Sequence, residues 1–527
     1  MKIVHRVILV ASLWLIFVNP GSTNLDTDNR MQMAHAWWTG TEEGIPGKKL
    51  VISVKGKNYI PYDLGQSMLM LPGDWLGTKL GQNVTDNLNE SQKIREAVVS
   101  FLIFLPINVF CVVSCFNLLR LFNYSEKLAG LSSIVWLLGT SVLFYSSFHQ
   151  QNNQILLFVL LGYQAALAYV KSGKKQLATL SGIAIGIAFL IRITSVIHAA
   201  SILLFMVGCV TQKQKLQVSQ GARTILLWLM GFIPLVFFER ILTYIRYGSW
   251  MATSTSLHLQ VFSKANTLTE NNGIIQGESN SFFFVKLLTK IKLEGWLAPL
   301  FSPEKSILIY DPLVLPCLIL SFICWKFLSP YIKWYLIAGI LNFLLHTYIY
   351  SWSSNWVSTT PWASRYHVTS VHLWLIPLIP LLLQGAMLQI KKNTDWLEKL
   401  CSWVAKSAIA LAILVQFASI TLPNNLEVTQ QHLGLGSELR IVQRINNIFY
   451  LLNGEKSNPK IAQVQEKAPW LGSHEKITWH LLPFRLENNL GTNSSFDRYI
   501  SILYVLWILV FILAVASTTW MFLSYRL

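Results

Sequence analysis

Three acidic residues stand where a proton can be drawn from a hydroxyl. Asp26 and Asp28 lie two positions apart in Leu25-Asp26-Thr27-Asp28-Asn29-Arg30, and Asp63 sits in Pro61-Tyr62-Asp63-Leu64-Gly65-Gln66. A carboxylate held beside a hydroxyl acts as a general base. The plainer use of these residues is structural, since Asp at a helix start or turn accepts from orphan amides and complements the helix dipole. Three arginines are the complement. Arg192 separates two apolar stretches, Arg246 sits in Tyr244-Ile245-Arg246-Tyr247-Gly248-Ser249, and Arg365 follows a segment dense in indoles, Trp352, Trp356 and Trp362. A guanidinium matches a phosphate through two parallel hydrogen bonds. Its plainer use is to snorkel to ordinary headgroups. A proton acceptor together with a phosphate clamp is the equipment of group transfer.

Other signals carry less. His149, His367, His372, His474 and His480 have no metal-ligand spacing, and Gln150-Gln151-Asn152-Asn153-Gln154 reads as a polar turn. Asn83-Val84-Thr85, Asn89-Glu90-Ser91 and Asn493-Ser494-Ser495 are glycosylation sequons. No phosphate-binding loop, dinucleotide fingerprint or serine-hydrolase elbow is present. Cys111, Cys115, Cys209, Cys317, Cys324 and Cys401 lie in or beside apolar segments, where they pack and form no disulfide framework.

The elements that must position these residues are membrane helices. With 53% hydrophobic and 13% charged residues in a chain of 527, the composition excludes an ordinary soluble protein. About twelve apolar stretches are expected to span, at 3–19, 97–119, 128–148, 154–170, 178–191, 195–210, 224–241, 306–326, 331–350, 369–390, 404–422 and 500–522. Several are short, which points to partial crossing or a protein-lined cavity. The pair flanking Arg192 forms either a hairpin with that residue at its tip or one long helix. Short loops carrying Arg120, Lys127, Lys171, Lys174, Lys175, Lys213, Lys215, Arg223, Lys326, Lys333, Lys391 and Lys392 fall on one side. That side is cytoplasmic by the positive-inside rule. The first stretch, after Lys2, His5 and Arg6, reads as a retained helix with a cytoplasmic amino terminus. The formal net charge of +17 is therefore spent largely on orienting helices, so no nucleic-acid partner is expected.

Three polar segments, 21–96, 242–305 and 423–498, fall on the opposite side. In the first, residues 26–39 form an amphipathic helix with Met31, Ala34, Trp37 and Trp38 on its apolar side, which places it at the interface. Residues 51–62 suit a small hairpin and 65–80 a second interfacial helix. The organisation expected is a transmembrane catalytic region over 1–422 including loops 21–96 and 242–305, an external segment over 423–498, and a last transmembrane helix in 499–527.

The order of these motifs resembles the GT-C superfamily of membrane glycosyltransferases, which includes protein O-mannosyltransferases and the enzymes that modify lipid A. Asp26-Thr27-Asp28-Asn29-Arg30 through Gly40 is similar to the family's acidic first-loop motif, and Tyr59 through Pro72 to the approach to its second interfacial helix. Leu180-Ser181-Gly182-Ile183-Ala184-Ile185-Gly186 through Arg192, Tyr247-Gly248-Ser249, Phe301 through Lys305, Tyr310-Asp311-Pro312 and Trp352 through Tyr366 follow in matching order. The likeness covers most of residues 1–385. Two departures stand out: Thr27 separates acids that are adjacent in many members, and Leu64 follows Asp63 where some carry lysine.

The resemblance implies an all-α, GT-C-like bundle with interfacial helices in the first external loop. The activity it implies is an inverting transfer of sugar from a polyprenyl-phosphate carrier to a lipid, glycan or protein hydroxyl on the non-cytoplasmic face. Asp26 or Asp28 would be the base, Arg365 with Arg192 or Arg246 would hold the phosphate, and Asp63 would orient the acceptor or hold a divalent cation. A divalent cation is the one cofactor the resemblance brings in, and only some of the family's members require it. The rival is a polytopic transporter or lipid flippase. Such proteins need ionisable groups in mid-membrane, and away from their ends the spans here are nearly free of charge apart from Arg192, Glu239 and Arg240.

Overall fold

A computed structural model describes residues 2–44, 52–213, 218–254, 256–257, 293–351, 361–387, 396–437, 439–455, 458–460, 477–490 and 497–526. The indole-rich stretch 352–360, much of 242–305, part of 423–498 including His474, and the sequon at Asn493 lie outside the described residues.

The described residues are almost wholly helical. In order come α1 (Ile3–Phe17), α2 (Leu25–Thr39), the strands β1 (Ile52–Val54) and β2 (Lys57–Tyr59), then α3 (Gly65–Val84), α4 (Leu88–Val99), α5 (Leu105–Leu121), α6 (Glu126–Gly139), α7 (Val142–Phe148), α8 (Gln151–Ser172), α9 (Lys175–Ile191), α10 (Val196–Lys213) and α11 (Val218–Tyr247). There follow α12 (Leu293–Phe301), α13 (Ile307–Tyr310), α14 (Val314–Ile323), α15 (Pro330–Tyr350), α16 (Val368–Leu375), α17 (Ile379–Ala386), α18 (Trp396–Thr421), α19 (Leu426–His432), α20 (Arg440–Leu452), α21 (Leu482–Leu490) and α22 (Asp497–Arg526).

Among the described residues, seven helices are long and apolar enough to cross a membrane, or nine if each of two bent pairs is one span. The chain is a multi-pass integral membrane protein. Shorter apolar helices, Ile3–Phe17, Lys175–Ile191 and Val314–Ile323, occupy three more of the twelve expected spans. At 15, 17 and 10 residues they fall short of the roughly 20 that a perpendicular crossing needs, so helix length alone does not yield twelve.

The helices gather into two compact units, one of Met1–Gly21, Leu105–Phe148 and Lys292–Leu527, the other of Ser22–Phe104 and His149–Ile291. In the first, α6 and α7 form a span bent by 61°. Asp311 accepts from the Ser141 N–H at 2.5 Å and the Ser141 hydroxyl at 2.7 Å, satisfying the groups freed at the bend. In the same unit α20 carries Arg440 and Arg444 inward to Glu427 of α19, with Arg444 Nε 2.6 Å from Oε1 and Arg440 Nε 3.7 Å from Oε2.

The second unit holds the first-loop elements. Asn24 caps α2 by accepting the Thr27 N–H at 3.0 Å, and Gly40 ends the helix at φ +72°. Lys55 and Gly56, both at positive φ, turn the hairpin and set its register, Ile52 opposite Tyr59. The helix α3 runs on through Pro72 to Val84. The expected apolar stripe of α2 is only partly apolar in use. Met31 and Ala34 are buried, while the Trp37 and Trp38 indoles donate to Glu43 Oε1 at 2.8 Å and Asp74 Oδ2 at 2.7 Å.

The small residues of α9 have a plain cause. A Cβ on Gly182 would stand 2.1 Å from the Trp228 carbonyl, and one on Gly231 of α11 would stand 2.1 Å from the Thr179 carbonyl. The two backbones touch there, as small residues permit in membrane helix pairs. Past this crossing, α9 ends at Arg192, which is extended (φ −157°, ψ 124°). The helix is thus broken at that residue, and the long unbroken alternative does not form.

Candidate functional site

The site builds outward from α2. Asp26 and Arg30 are four residues apart and share a helix face. Arg30 Nη1 donates to the Asp26 carbonyl at 3.0 Å, and its guanidinium lies 4.1 Å from the Tyr62 ring centroid. The Tyr62 hydroxyl donates to Asp26 Oδ1 at 3.2 Å, and the Ser67 hydroxyl to the Arg30 carbonyl at 2.7 Å. These bonds fix the start of α2 against the chain entering α3. Asp28 faces elsewhere, with Gln92 Nε2 of α4 3.5 Å from its Oδ1. Asp26 is thus held beside Tyr62 and Arg30, and Asp28 beside Gln92.

Asp63 follows directly. Its carboxyl is half-buried and is pushed up from 3.8 to about 6 by loss of water. Arg30 opposes that shift, Glu239 adds to it, and Arg192 and Arg240 oppose it. Asp63 thus lies within electrostatic reach of three guanidiniums from three elements: α2, the end of α9, and α11. Burial first, and the charge of Asp26 second, push up the Tyr62 hydroxyl.

Two close contacts bring these elements together. Gly65 at the start of α3 abuts the end of α9, where a Cβ would stand 2.5 Å from the Ile191 nitrogen. Along α11, Glu239 pairs with Arg240 and accepts from the Thr243 hydroxyl at 2.8 Å. Arg240 Nη1 donates to the Trp250 and Ala252 carbonyls, each at 3.0 Å, and the Ser254 hydroxyl to the Pro61 carbonyl at 2.9 Å. Asp63, Glu239, Arg240, Thr243 and Ser254 line a small cleft.

Arg246 lines the same cleft. Its guanidinium binds Glu43 Oε2 at 2.5 Å, the Ile60 carbonyl at 3.1 Å and the Tyr62 carbonyl at 3.3 Å. Those donors tie α11 to the first loop. Arg365 belongs to the other unit, buried after a turn in which Ala363 has φ +56°. Within that unit the Pro361 carbonyl accepts from Lys305 Nζ and from Arg440 Nη1, and the Trp362 carbonyl from the Tyr145 hydroxyl at 3.0 Å.

Sequence reasoning did not assign Arg30, Glu239 or Arg240 to the site. The spacing of four from Asp26 to Arg30 was a legible signal, and so was the charge pair Glu239-Arg240 in an otherwise apolar span. Arg440, Arg444 and Glu427 gave no comparable signal. Among the described residues no group of three or more His, Cys, Asp or Glu side chains is placed to hold a metal ion.

No family model matches the sequence, and no curated protein does. Among solved structures the chain is similar to ArnT from Cupriavidus metallidurans in the apo state, at 10% identity over 82% of this chain and 72% of that one, with a TM-score of 0.40. It is similar to the same protein bound to undecaprenyl phosphate at 12% identity over 79% and 75%, with a TM-score of 0.39. The Archaeoglobus fulgidus oligosaccharyltransferase, in complex with Zn and sulfate, shares 12% identity over 81% of this chain and 54% of its own, with a TM-score of 0.44.

Proposed function

We propose that the chain is a membrane glycosyltransferase that moves a sugar, with inversion, from a polyprenyl-phosphate carrier to an acceptor hydroxyl outside the cytoplasm. The observation that carries this reading is the meeting of Asp26, Tyr62 and Asp63 with Arg30 and Arg192 at the start of the first-loop helices. A donor whose tail stays in lipid must react where an aqueous acceptor can reach it, and elements at the ends of membrane helices meet that need.

Asp26 is the base that takes the acceptor's proton as oxygen attacks the anomeric carbon. The carbon–phosphate-oxygen bond breaks with inversion, and the charge that grows on the departing phosphate is met by guanidinium, the kind of electrostatic stabilisation that dominates many such reactions. Arg192, within electrostatic reach of Asp63, takes this role, and Arg246 ties α11 to the first loop through Glu43, Ile60 and Tyr62. Asp63 orients the acceptor, or holds a divalent cation if one is used. Arg365 is proposed as a phosphate-binding residue on the chemistry of its guanidinium alone.

Purified protein is incubated with a polyprenyl-phosphate sugar labelled in the sugar and with candidate hydroxyl acceptors. The reading requires label on the acceptor and bare carrier phosphate released in equal amount. Movement of intact labelled lipid across a vesicle bilayer, without sugar transfer, would establish the transporter instead.

A further inference from the structure

Five consecutive carboxamides, Gln150 to Gln154, open α8, and each is at most 4% exposed. Several side-chain nitrogens in this region are spent on backbone. Gln151 Nε2 donates to the Ile191 carbonyl at 2.6 Å, Gln154 Nε2 to the Gln150 carbonyl at 3.1 Å, and Gln66 Nε2 of α3 to the His149 carbonyl at 3.1 Å. The oxygens behave differently. Oε1 of Gln66, Gln150 and Gln154 meets no donor among the described residues. A buried acceptor without a donor is destabilising, so three in one neighbourhood call for a ligand that donates.

The neighbourhood is held firmly. His149 has φ +55°, stacks on Phe104 at 4.8 Å, and has Nε2 2.6 Å from the Ser100 hydroxyl. Ser100 to Phe104 form a π turn, a local irregularity that often accompanies function. The His149 carbonyl also accepts from the Thr27 hydroxyl at 2.8 Å. Thr27 is next to Asp26, Gln66 is three residues past Asp63, and Ile191 adjoins Arg192. Three of the partners in this network are thus close in the chain to Asp26, Asp63 and Arg192.

The chemistry of the lining selects the ligand. Neutral carbonyl oxygens repel a phosphate, while the first N–H groups of α8 receive no side-chain cap from Gln150 and can donate. A group that both donates and accepts and carries no charge satisfies both, which describes a ring hydroxyl. We infer that the carboxamide cluster of Gln66, Gln150 and Gln154 is the subsite that grips the hydroxyls of the transferred sugar. This rests on the transferase reading above and adds to it the place where the sugar is recognised.

The test is binding by the purified full-length protein of undecaprenyl phosphate and of its glucosyl, mannosyl and N-acetylglucosaminyl forms. Wild type should bind at least one sugar-bearing form about tenfold more tightly than the bare carrier, the worth of one or two good hydrogen bonds. Gln154→Met and Gln66→Met, which keep side-chain length and remove the acceptor, should erase that preference while holding bare-carrier affinity within about twofold. If either Met variant fails to fold, Gln154→Asn, which withdraws the oxygen by one methylene, is read in its place. Variants that keep the wild-type preference would show that the cluster holds water only, and variants that lose the bare carrier as well would show a structural role. Each of those outcomes overturns the proposal, as does a wild type that binds bare and sugar-bearing carriers alike. A wild type that binds none of them sinks the transferase reading itself.

Discussion

Asn24 supplies the side-chain cap of α2, leaving Asp26 and Asp28 inside the first turn, where they complement the dipole without closing the helix. Substitution at either acid therefore reports on chemistry with little disturbance of the cap. Asp26→Asn keeps size and removes the proton acceptor, and should slow transfer roughly 10²-fold or more with expression and melting nearly unchanged. Asp28→Asn, on the face toward Gln92, should be milder. Full activity in both would return the two acids to a purely structural role. Asp63 gives a second residue-scale expectation through its shift to about 6. Transfer that needs its charge rises with pH through about 6 and then levels, and Asp63→Asn should flatten that limb in an initial-rate profile. Stability runs the other way. Unfolded Asp63 is ionised above about 4 while the folded residue stays protonated to about 6, so folding takes up a proton in that window and stability falls as pH rises across it. Arg365→Lys should impair transfer and Arg365→Ala more so, because ammonium lacks the two-pronged geometry. Wild-type rates in both would make Arg365 an anchor to headgroups.

The elements of the first loop are legible in the amino-acid sequence because their causes are local. Asp, Asn and Gly signals bound α2, Lys55-Gly56 turns the hairpin, and the apolar run from Gly65 carries α3. What brings Arg192 and Arg240 to Asp63 is not legible there, because it depends on which helices cross closely. Gly65 is where this becomes testable. A Cβ there would stand 2.5 Å from the Leu190 carbonyl carbon and 2.7 Å from the Ile191 Cα, so Gly65→Ala must lift α3 off the end of α9. Separating Asp63 from Arg192 removes one influence that holds its carboxyl down. The acid limb of the pH profile should move above 6, and transfer should fall, by up to roughly 10²-fold if the displacement reaches 1 Å. Gly385→Ala, with nothing within 4 Å of its Cβ, is the control and should be silent. An unshifted limb in Gly65→Ala would break the proposed link between Asp63 and α9.

For the whole molecule, apolar content and charge bias gave the class of protein at once, whereas the number of crossings did not follow from them. Three of the apolar helices are shorter than a bilayer, and two spans are bent by 61° and 54°. Hydropathy counts stretches and cannot see where a helix stops or turns. Orientation is a separate expectation, resting on basic short loops. Single cysteines at Asn87, Thr267 and Glu455, in a background without the six native cysteines, should react with an impermeant thiol reagent in intact cells, and one at Ser172 should not. Labelling at residue 172 would invert the arrangement and put the proposed site on the cytoplasmic face.

The contact of α9 with α11 at Gly182 and Gly231 works as a ruler. Arg192 lies ten residues beyond Gly182 and Arg240 nine beyond Gly231, so the spread of the two cations is set roughly 14–15 Å away, at a point that touches neither donor nor acceptor. Selection for a new substrate would then find changes along this glycine seam, where a shift of one helix re-spaces the charges without altering the groups that do the chemistry.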